Sequence, residues 1–196
     1  MSRRVALLVA VAVLLAIVNA AAFAFYPVSL SLSPVSPPVY FSEGSNAGQP
    51  DLGGSTEAGT YTSNVIEVTI GSDGTSADIT VHPTYRRVYY RNVTVVINQD
   101  GKAYNVWLRI TDALEDAKIL SAKLYLKDSA GTTVLTADLK ATGDYGSASL
   151  PAGGKLYADI ELQIDATGGS YDTPPSLTDT AASLQLIYTP SSETPP

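Results

Sequence analysis

The sequence predicts an all-β protein, an antiparallel β-sandwich of jelly-roll or immunoglobulin-like type, with a separable strand at its N-terminus. Three observations lead to this prediction. Apolar residues alternate with polar ones along much of the chain, which is the period of a half-buried strand. Roughly eight such short segments follow one another, with turn residues between them. Tyrosine, at 12 residues, outnumbers phenylalanine and tryptophan together, and aromatic side chains favour pleated, half-buried surfaces.

The first 24 residues have the features of a secretory signal peptide. Two arginines give a positive start, residues 5–18 are apolar throughout, and residues 22–24 form an Ala-Phe-Ala cleavage pattern. We therefore predict an exported chain that begins at Phe25 and meets the membrane only through its leader during export. The alternative is an uncleaved anchor, because residues 5–25 are about long enough to cross a bilayer, which takes roughly 20 residues.

A separable strand follows the leader. Val28, Leu30 and Leu32 alternate with serines, so one face is apolar and the other polar. Several prolines come next and form an extended spacer, because proline cannot continue the hydrogen-bond ladder inside a sheet. The predicted organisation is residues 1–24 for the signal peptide, 25–41 for the strand and spacer, 42–190 for the sandwich and 191–196 for a flexible tail.

Alternation within the sandwich predicts three hairpins and two further strands. The hairpins join residues 64–70 with 77–81, 85–97 with 103–110, and 118–127 with 132–139. Residues 155–165 and 182–188 alternate in the same way and are the last two predicted strands. Recurring glycines predict a long loop over residues 42–63, and residues 112–117 suggest a helical turn.

The composition excludes several classes of function. A chain without cysteine has no disulfide, thiolate metal site or cysteine nucleophile. His82 is the only histidine, which argues against a zinc site and favours a turn residue before Pro83. The formal charge is −7, and becomes −9 without the leader's two arginines, so we expect no nucleic-acid partner. We predict no enzymatic activity, cofactor or metal.

Two short motifs suggest additional chemistry. Asn92 lies in an Asn-Val-Thr sequon and is a predicted N-glycosylation site, provided that its side chain points outward or lies at a sheet edge. Residues 112–116 carry three carboxylates, the oxygen ligands that calcium prefers. They lack the glycine-punctuated spacing of an EF-hand, so the sequence favours a solvated acidic turn.

The separable strand has two possible partners. It folds back onto its own domain, or it pairs with a neighbouring subunit through backbone hydrogen bonds, with pockets for alternate side chains fixing its register. Repeated head to tail, the second arrangement gives a contact that does not close, and therefore builds a filament.

A surface-binding module is the competing hypothesis. In this interpretation the chain is secreted or membrane-anchored, and an aromatic face stacks on glycans. The candidate residues for that face are Tyr85, Tyr89, Tyr90 and Trp107. The same aromatic residues are typical of strand packing, so the pattern alone leaves both uses open.

A family resemblance favours the filament. The leader, the apolar strand directly after it, the Pro-Pro-Val-Tyr-Phe stretch at residues 37–41 and the cysteine-free body resemble the archaeal bundling-pilus subunits, relatives of the bacterial TasA and camelysin biofilm-fibre proteins. The resemblance implies an extracellular, cell-surface homopolymer joined by donor-strand complementation, with lateral bundling of the fibres. Camelysin-type members carry a metallopeptidase label, but this chain has no zinc-binding constellation. The resemblance implies a donor strand formed by Phe25, Tyr26, Val28, Leu30 and Leu32.

Overall fold

The computed structural model describes residues 3, 29–33, 35–51, 65–83, 86–165, 167, 177–178, 181–190 and 193. The chain divides into two compact units, residues 1–35 and 36–196, and the ten strands found among the described residues belong to the second. The strands are β1 (Val39–Glu43), β2 (Glu67–Ile70), β3 (Ala77–Thr80), β4 (Arg86–Asn98), β5 (Tyr104–Asp112), β6 (Ile119–Lys127), β7 (Thr133–Asp138), β8 (Gly143–Leu150), β9 (Lys155–Ile164) and β10 (Ser183–Thr189). Among the described residues, no helix has the length and apolar character that a membrane crossing requires.

The strands form three antiparallel sheets. A five-stranded sheet has the order β1-β4-β9-β6-β7, a three-stranded sheet has the order β10-β5-β8, and β2 pairs with β3 alone. Inner residues of the two larger sheets, such as Leu124 of β6, Ile160 of β9 and Leu108 of β5, belong to one hydrophobic cluster. The larger sheets therefore share a core, and the predicted all-β class with antiparallel pairing is confirmed.

Two of the three predicted hairpins are confirmed. Strand β2 pairs with β3, and β6 pairs with β7, in the predicted antiparallel sense. The strand predicted over residues 155–165 is β9, which lies between β4 and β6 at the centre of the larger sheet. Its inner side chains from Leu156 to Ile164 are at most 8% exposed, as the alternation predicted. The last predicted strand is β10.

The hairpin predicted between residues 85–97 and 103–110 is wrong. Both segments are strands, but β4 and β5 belong to different sheets. The chain crosses from one sheet to the other at Asn98, whose buried Nδ2 donates to the carbonyl oxygens of Lys102 at 2.7 Å and Pro151 at 2.8 Å. This buried amide stabilises a corner between the layers, where a hairpin would keep both strands in one sheet.

Three further segments differ from the sequence-based predictions. Strand β1 occupies residues assigned to the spacer and the following loop, and β8 was not predicted. Residues 113–116 are irregular, so the predicted helical turn is absent there. Leu114 is instead buried, and its amide donates to the carbonyl oxygen of Leu139 at 2.8 Å. Residues 52–63 of the predicted loop lie outside the described residues.

Gly44, directly after β1, has no room for a side chain. A Cβ at this position would lie 1.9 Å from the carbonyl oxygen of Asn92, which is backbone and cannot rotate away. We expect Gly44→Ala to lower the free energy of unfolding by about 1–3 kcal/mol, the usual cost of overpacking. Urea denaturation measures this, with Gly101→Ala as the control because no atom lies within 4 Å of its Cβ position. Equal stability of the two variants would contradict the close approach at Gly44.

Candidate functional site

Strands β3 and β10 each leave one edge open. In the described part of the chain, β3 pairs only with β2, and β10 pairs only with β5. The open edge of a strand presents a row of backbone N–H and C=O groups that another strand can pair with. Residues 76–79 and 81, around β3, and 182–184, at the start of β10, line the same cavity. A single groove therefore has two free strand edges along it.

This groove is large, and most of the residues that line it are apolar. It comprises two spaces of about 260 and 530 Å³ that share seven lining residues. An apolar cavity of about 150 Å³ holds a benzene molecule, so the groove has room for several aliphatic side chains. Its floor belongs to the five-stranded sheet and the loop before β6, and comprises Leu114, Ile119, Leu124, Ile160, Leu162 and Ile164.

The side chains along the groove are incompletely covered. Ala77 and Ile79 of β3 and Leu184 of β10 pack against the core but are only partly buried. By contrast, Leu108 and Ile110 of β5, the next strand after β10, are each 1% exposed. The side chains on both strands that border the groove are thus less buried than those of β5. An apolar strand placed between β3 and β10 would cover these side chains.

The groove is wide at one end and narrow at the other. We call the wide end the mouth, and its residues are Thr80, Pro83, Ile119, Ile164, Leu177 and Ala181. Towards the other end, between Phe41, Thr94 and Leu184, the space falls to about 10 Å³. The mouth lies at the end of the five-stranded sheet where Arg86 of β4 pairs with Ile164.

The domain begins at the opposite end of that sheet. The amide of Gln99 donates to the carbonyl oxygen of Pro38 at 2.9 Å, and its Nε2 donates to that of Pro37 at 3.1 Å. Val39 then pairs with Asn98 at the end of β4. Because β4 has 13 residues at about 3.3 Å each, roughly 40 Å of strand separates the start of the domain from the mouth.

The described part of the predicted donor strand is unpaired. Residues 29–33 belong to no strand, and Leu30 and Leu32 are 84% and 81% exposed. Val35 in the spacer is also 86% exposed. The other predicted donor residues, Phe25, Tyr26 and Val28, lie outside the described residues, as does nearly all of the predicted signal peptide.

The described aromatic residues of the competing glycan hypothesis do not form one surface. Tyr89 and Tyr90 are neighbours on β4 and point to opposite faces, with exposed fractions of 38% and 2%. Trp107 is 5% exposed and lies in the three-stranded sheet, where it packs over Gly146. Tyr85 lies outside the described residues. Tyr89 instead stacks on Tyr125, with ring centroids 6.2 Å apart.

The sequon residue Asn92 lies at an irregularity within β4, one strand in from the edge of the sheet. Its backbone has a φ of 47°, in the left-handed region. Its Nδ2 donates to the Ser45 hydroxyl at 2.7 Å, and its Oδ1 is buried. N-glycosylation of Asn92 stays a prediction, and in the folded domain it requires the bond to Ser45 to break.

The acidic segment at residues 112–116 contributes a structural carboxylate. Asp116 is 8% exposed, and its oxygens accept from the amide of Lys118 at 2.7 Å and from that of Thr178 at 2.6 Å. In the ranges that the structure describes, no group of three or more His, Asp or Glu side chains is placed to hold a metal ion. Asp116 thus fixes the chain near Leu177, at the mouth of the groove.

A polar cluster on the outer face of the five-stranded sheet was not predicted. Asp159 of β9 is 3% exposed and accepts from Lys127 Nζ at 2.8 Å, the Tyr89 hydroxyl at 2.7 Å and the amide of Asn92 at 2.6 Å. Burial alone would raise the pKa of Asp159, but these donors, with Lys127 foremost, hold it below its usual value. The cluster links β4, β9 and β6. From the alternation alone, Asp159 was predicted only to point outward.

Comparisons with known proteins add no residues to the site. Neither the comparison with models of known protein families nor the search of curated proteins returned a match for this chain. The groove is therefore defined by the geometry of the described residues.

Proposed function

We propose that this chain is the structural subunit of an extracellular filament, a cell-surface pilus or biofilm-matrix fibre, assembled by donor-strand complementation. The N-terminal strand of one copy fills the groove between β3 and β10 of the next. The observation that carries the proposal is an apolar groove bounded by two free strand edges, in a chain whose exposed N-terminal segment has the alternation of a strand. The resemblance to archaeal bundling-pilus subunits implies the same assembly.

The donor strand would complete a β-sandwich of the jelly-roll type. Placed between β3 and β10, it joins the β2-β3 hairpin to the three-stranded sheet in one continuous layer. That layer then faces the five-stranded sheet across the shared core, with sheets packed about 10 Å apart. The separate hairpin thereby gains a partner on its open side, which a two-stranded ribbon needs for stability.

The two faces of the donor segment match the two faces of the groove. Leu30 and Leu32 would point to the apolar floor, whereas Ser31 and Ser33 would point outward. The outer side chains of the flanking strands are also exposed and polar, among them Asp78 and Thr80 of β3, Ser183 and Gln185 of β10. A one-residue slip would place serines on the floor and leucines in water, so the pattern fixes the register to within two residues.

Burial and hydrogen bonding together are large enough to drive assembly. Burial of Val28, Leu30 and Leu32 contributes about 1.5–3 kcal/mol for each side chain. Backbone hydrogen bonds to two flanking strands add roughly 0.5–1.5 kcal/mol each. Association costs an estimated 4–15 kcal/mol, and a strand that is hydrogen-bonded on both edges can exceed that cost. The loss of one buried apolar side chain would then make assembly unfavourable.

Removal of residues 25–33 tests the proposal. We expect the shortened mature chain to fold, because the ten strands of the described residues lie in residues 36–196, but to form no filaments. Negative-stain electron microscopy and circular dichroism measure the two properties, and N-terminal sequencing of the full mature chain verifies that its filaments begin near Phe25. Normal filaments from the shortened chain would overturn donor-strand assembly.

A further inference from the structure

We infer that the groove accepts its donor strand in one direction only, parallel to β3 and antiparallel to β10, with the serine-proline end of the strand at the mouth. This inference rests on the proposed function and specifies the contact between successive subunits. It follows from the directions of β3 and β10 and from the difference between the two ends of the groove.

Strand β3 runs towards the mouth. From Ala77 to Thr80 it leads through Val81 to Pro83, which is a mouth residue. The next strand, β4, begins at Arg86, opposite the mouth residue Ile164. The end of β3 and the start of β4 therefore lie at the same end of the domain.

Strand β10 runs away from the mouth. Ala181 is a mouth residue, and the chain continues from it through Ser183 to Thr189. Strands β3 and β10 therefore run in opposite directions along the groove. A strand between them is necessarily parallel to one and antiparallel to the other, so the groove has two possible occupancies.

The shape of the groove selects between these two occupancies. Its narrow end is closed by the hairpin turn, where the amide of Phe41 donates to the carbonyl oxygen of Gly74 at 2.7 Å. A donor strand must continue through Pro34 and Val35 into its own domain, and only the mouth leaves space for that chain. Residue 33 therefore lies at the mouth, and the strand runs towards it in the same direction as β3.

In this direction, the three inward-facing side chains of the donor strand lie beside three inward-facing side chains at β3. Leu32 lies beside Val81, Leu30 beside Ile79, and the first apolar residue, Val28, beside Ala77. On the outer face, Ser29 lies next to Asp78 and Ser31 next to Thr80. The reversed strand, centred on the same Ile79, would exchange the partners of these two serines.

The mouth then receives the spacer of the neighbouring subunit. Five of its six side chains are apolar, and the sixth is Thr80. Val35 is 86% exposed in the single chain and follows the donor strand by two residues. An apolar mouth is suited to a proline-rich segment, whose rigid backbone loses little entropy on binding. The surface of contact between subunits thus includes Val35 and the mouth, in addition to the strand.

Disulfide cross-linking tests the direction, because the chain has no cysteine of its own. Two single-cysteine variants are mixed, assembled and oxidised, and linked dimers are scored on non-reducing gels. A disulfide needs Cα atoms within about 7 Å, which neighbouring strands satisfy and a shift of two residues does not. We expect dimers from Ser29→Cys with Asp78→Cys and from Ser31→Cys with Thr80→Cys.

The exchanged mixtures are the matched controls. Ser29→Cys with Thr80→Cys and Ser31→Cys with Asp78→Cys should give no dimer above the level of the unmixed variants. Links in both exchanged mixtures would show the reversed strand, and any pattern that lacks one of the two expected links overturns the inference. Electron microscopy of each mixture separates this result from a failure of the proposed function, because filaments with the wrong links leave donor-strand assembly intact.

Discussion

A chain with Leu30 replaced by aspartate should form no filaments, yet unfold at the same temperature as natural chain that has not assembled. Leu30 is 84% exposed in the single chain, so the substitution removes no core contact there. In the filament its side chain would lie at the centre of the groove, beside Ile79. The variant loses about 1.5–3 kcal/mol of apolar burial and must also bury a carboxylate without a partner, at a cost of several kcal/mol. Assembly should weaken by at least about 1,000-fold.

Ser31→Asp is the matched control for this experiment. It introduces the same charge one residue away, on the face that the proposed strand turns to water, and should assemble nearly as the natural chain does. Sedimentation and negative-stain electron microscopy measure assembly, and circular dichroism measures the unfolding temperature. Filaments from the Leu30→Asp variant, or an equal loss from Ser31→Asp, would show that the alternating pattern does not place Leu30 in a groove.

Most strands could be predicted because alternation is a local property. The inner residues of β9, β6 and β3 follow from period two alone. Strand β1 was missed because Pro37 and Pro38 directly precede it, although Val39 and Phe41 are at most 4% exposed. Strand β8 was missed for another reason. Only Ala148 and Leu150 of its residues are buried, so its pattern is too weak to recognise.

Strand pairing could not be predicted to the same extent, because it depends on residues far apart in the chain. The Asn98-to-Gly101 segment has a turn composition whether the next strand returns in the same sheet or crosses to another. The carbonyl oxygen of Pro151, 53 residues away, contributes to the choice by accepting from the side chain of Asn98. No local pattern carries that information.

The groove could not be predicted either, for the same reason. Ile79, Val81 and Leu184 were all predicted as inner residues, and each lines it. What the sequence did not show is that β3 and β10 lie on either side of a gap, because that requires the order of strands in both layers. The proposed donor segment could be suggested from the sequence since its alternation, its serine face and its proline spacer are all local.

Asp159→Asn should cost the domain about 3 kcal/mol of unfolding free energy, measured by urea denaturation. The substitution keeps the shape of the side chain but removes its charge, so the Lys127 ammonium, 23% exposed, loses its partner. The change also weakens charge-assisted bonds from Tyr89 and from the Asn92 amide. Breaking a largely buried ion pair is typically worth about 3–5 kcal/mol, and the partial exposure of Lys127 places this pair at the lower limit.

The pH dependence distinguishes this carboxylate from an exposed one. Because the pKa of Asp159 is lowered in the folded chain, its contribution to stability is complete above the ordinary aspartate pKa of about 3.9 and is lost as the pH falls through the lowered value. Asp159→Asn should therefore flatten the acid limb of the stability curve. Asp144→Asn is the control, since the Arg109–Asp144 side chains are 32% and 35% exposed and such exposed pairs contribute little to stability. If both variants lose the same stability, the buried cluster does not hold β4, β9 and β6 together.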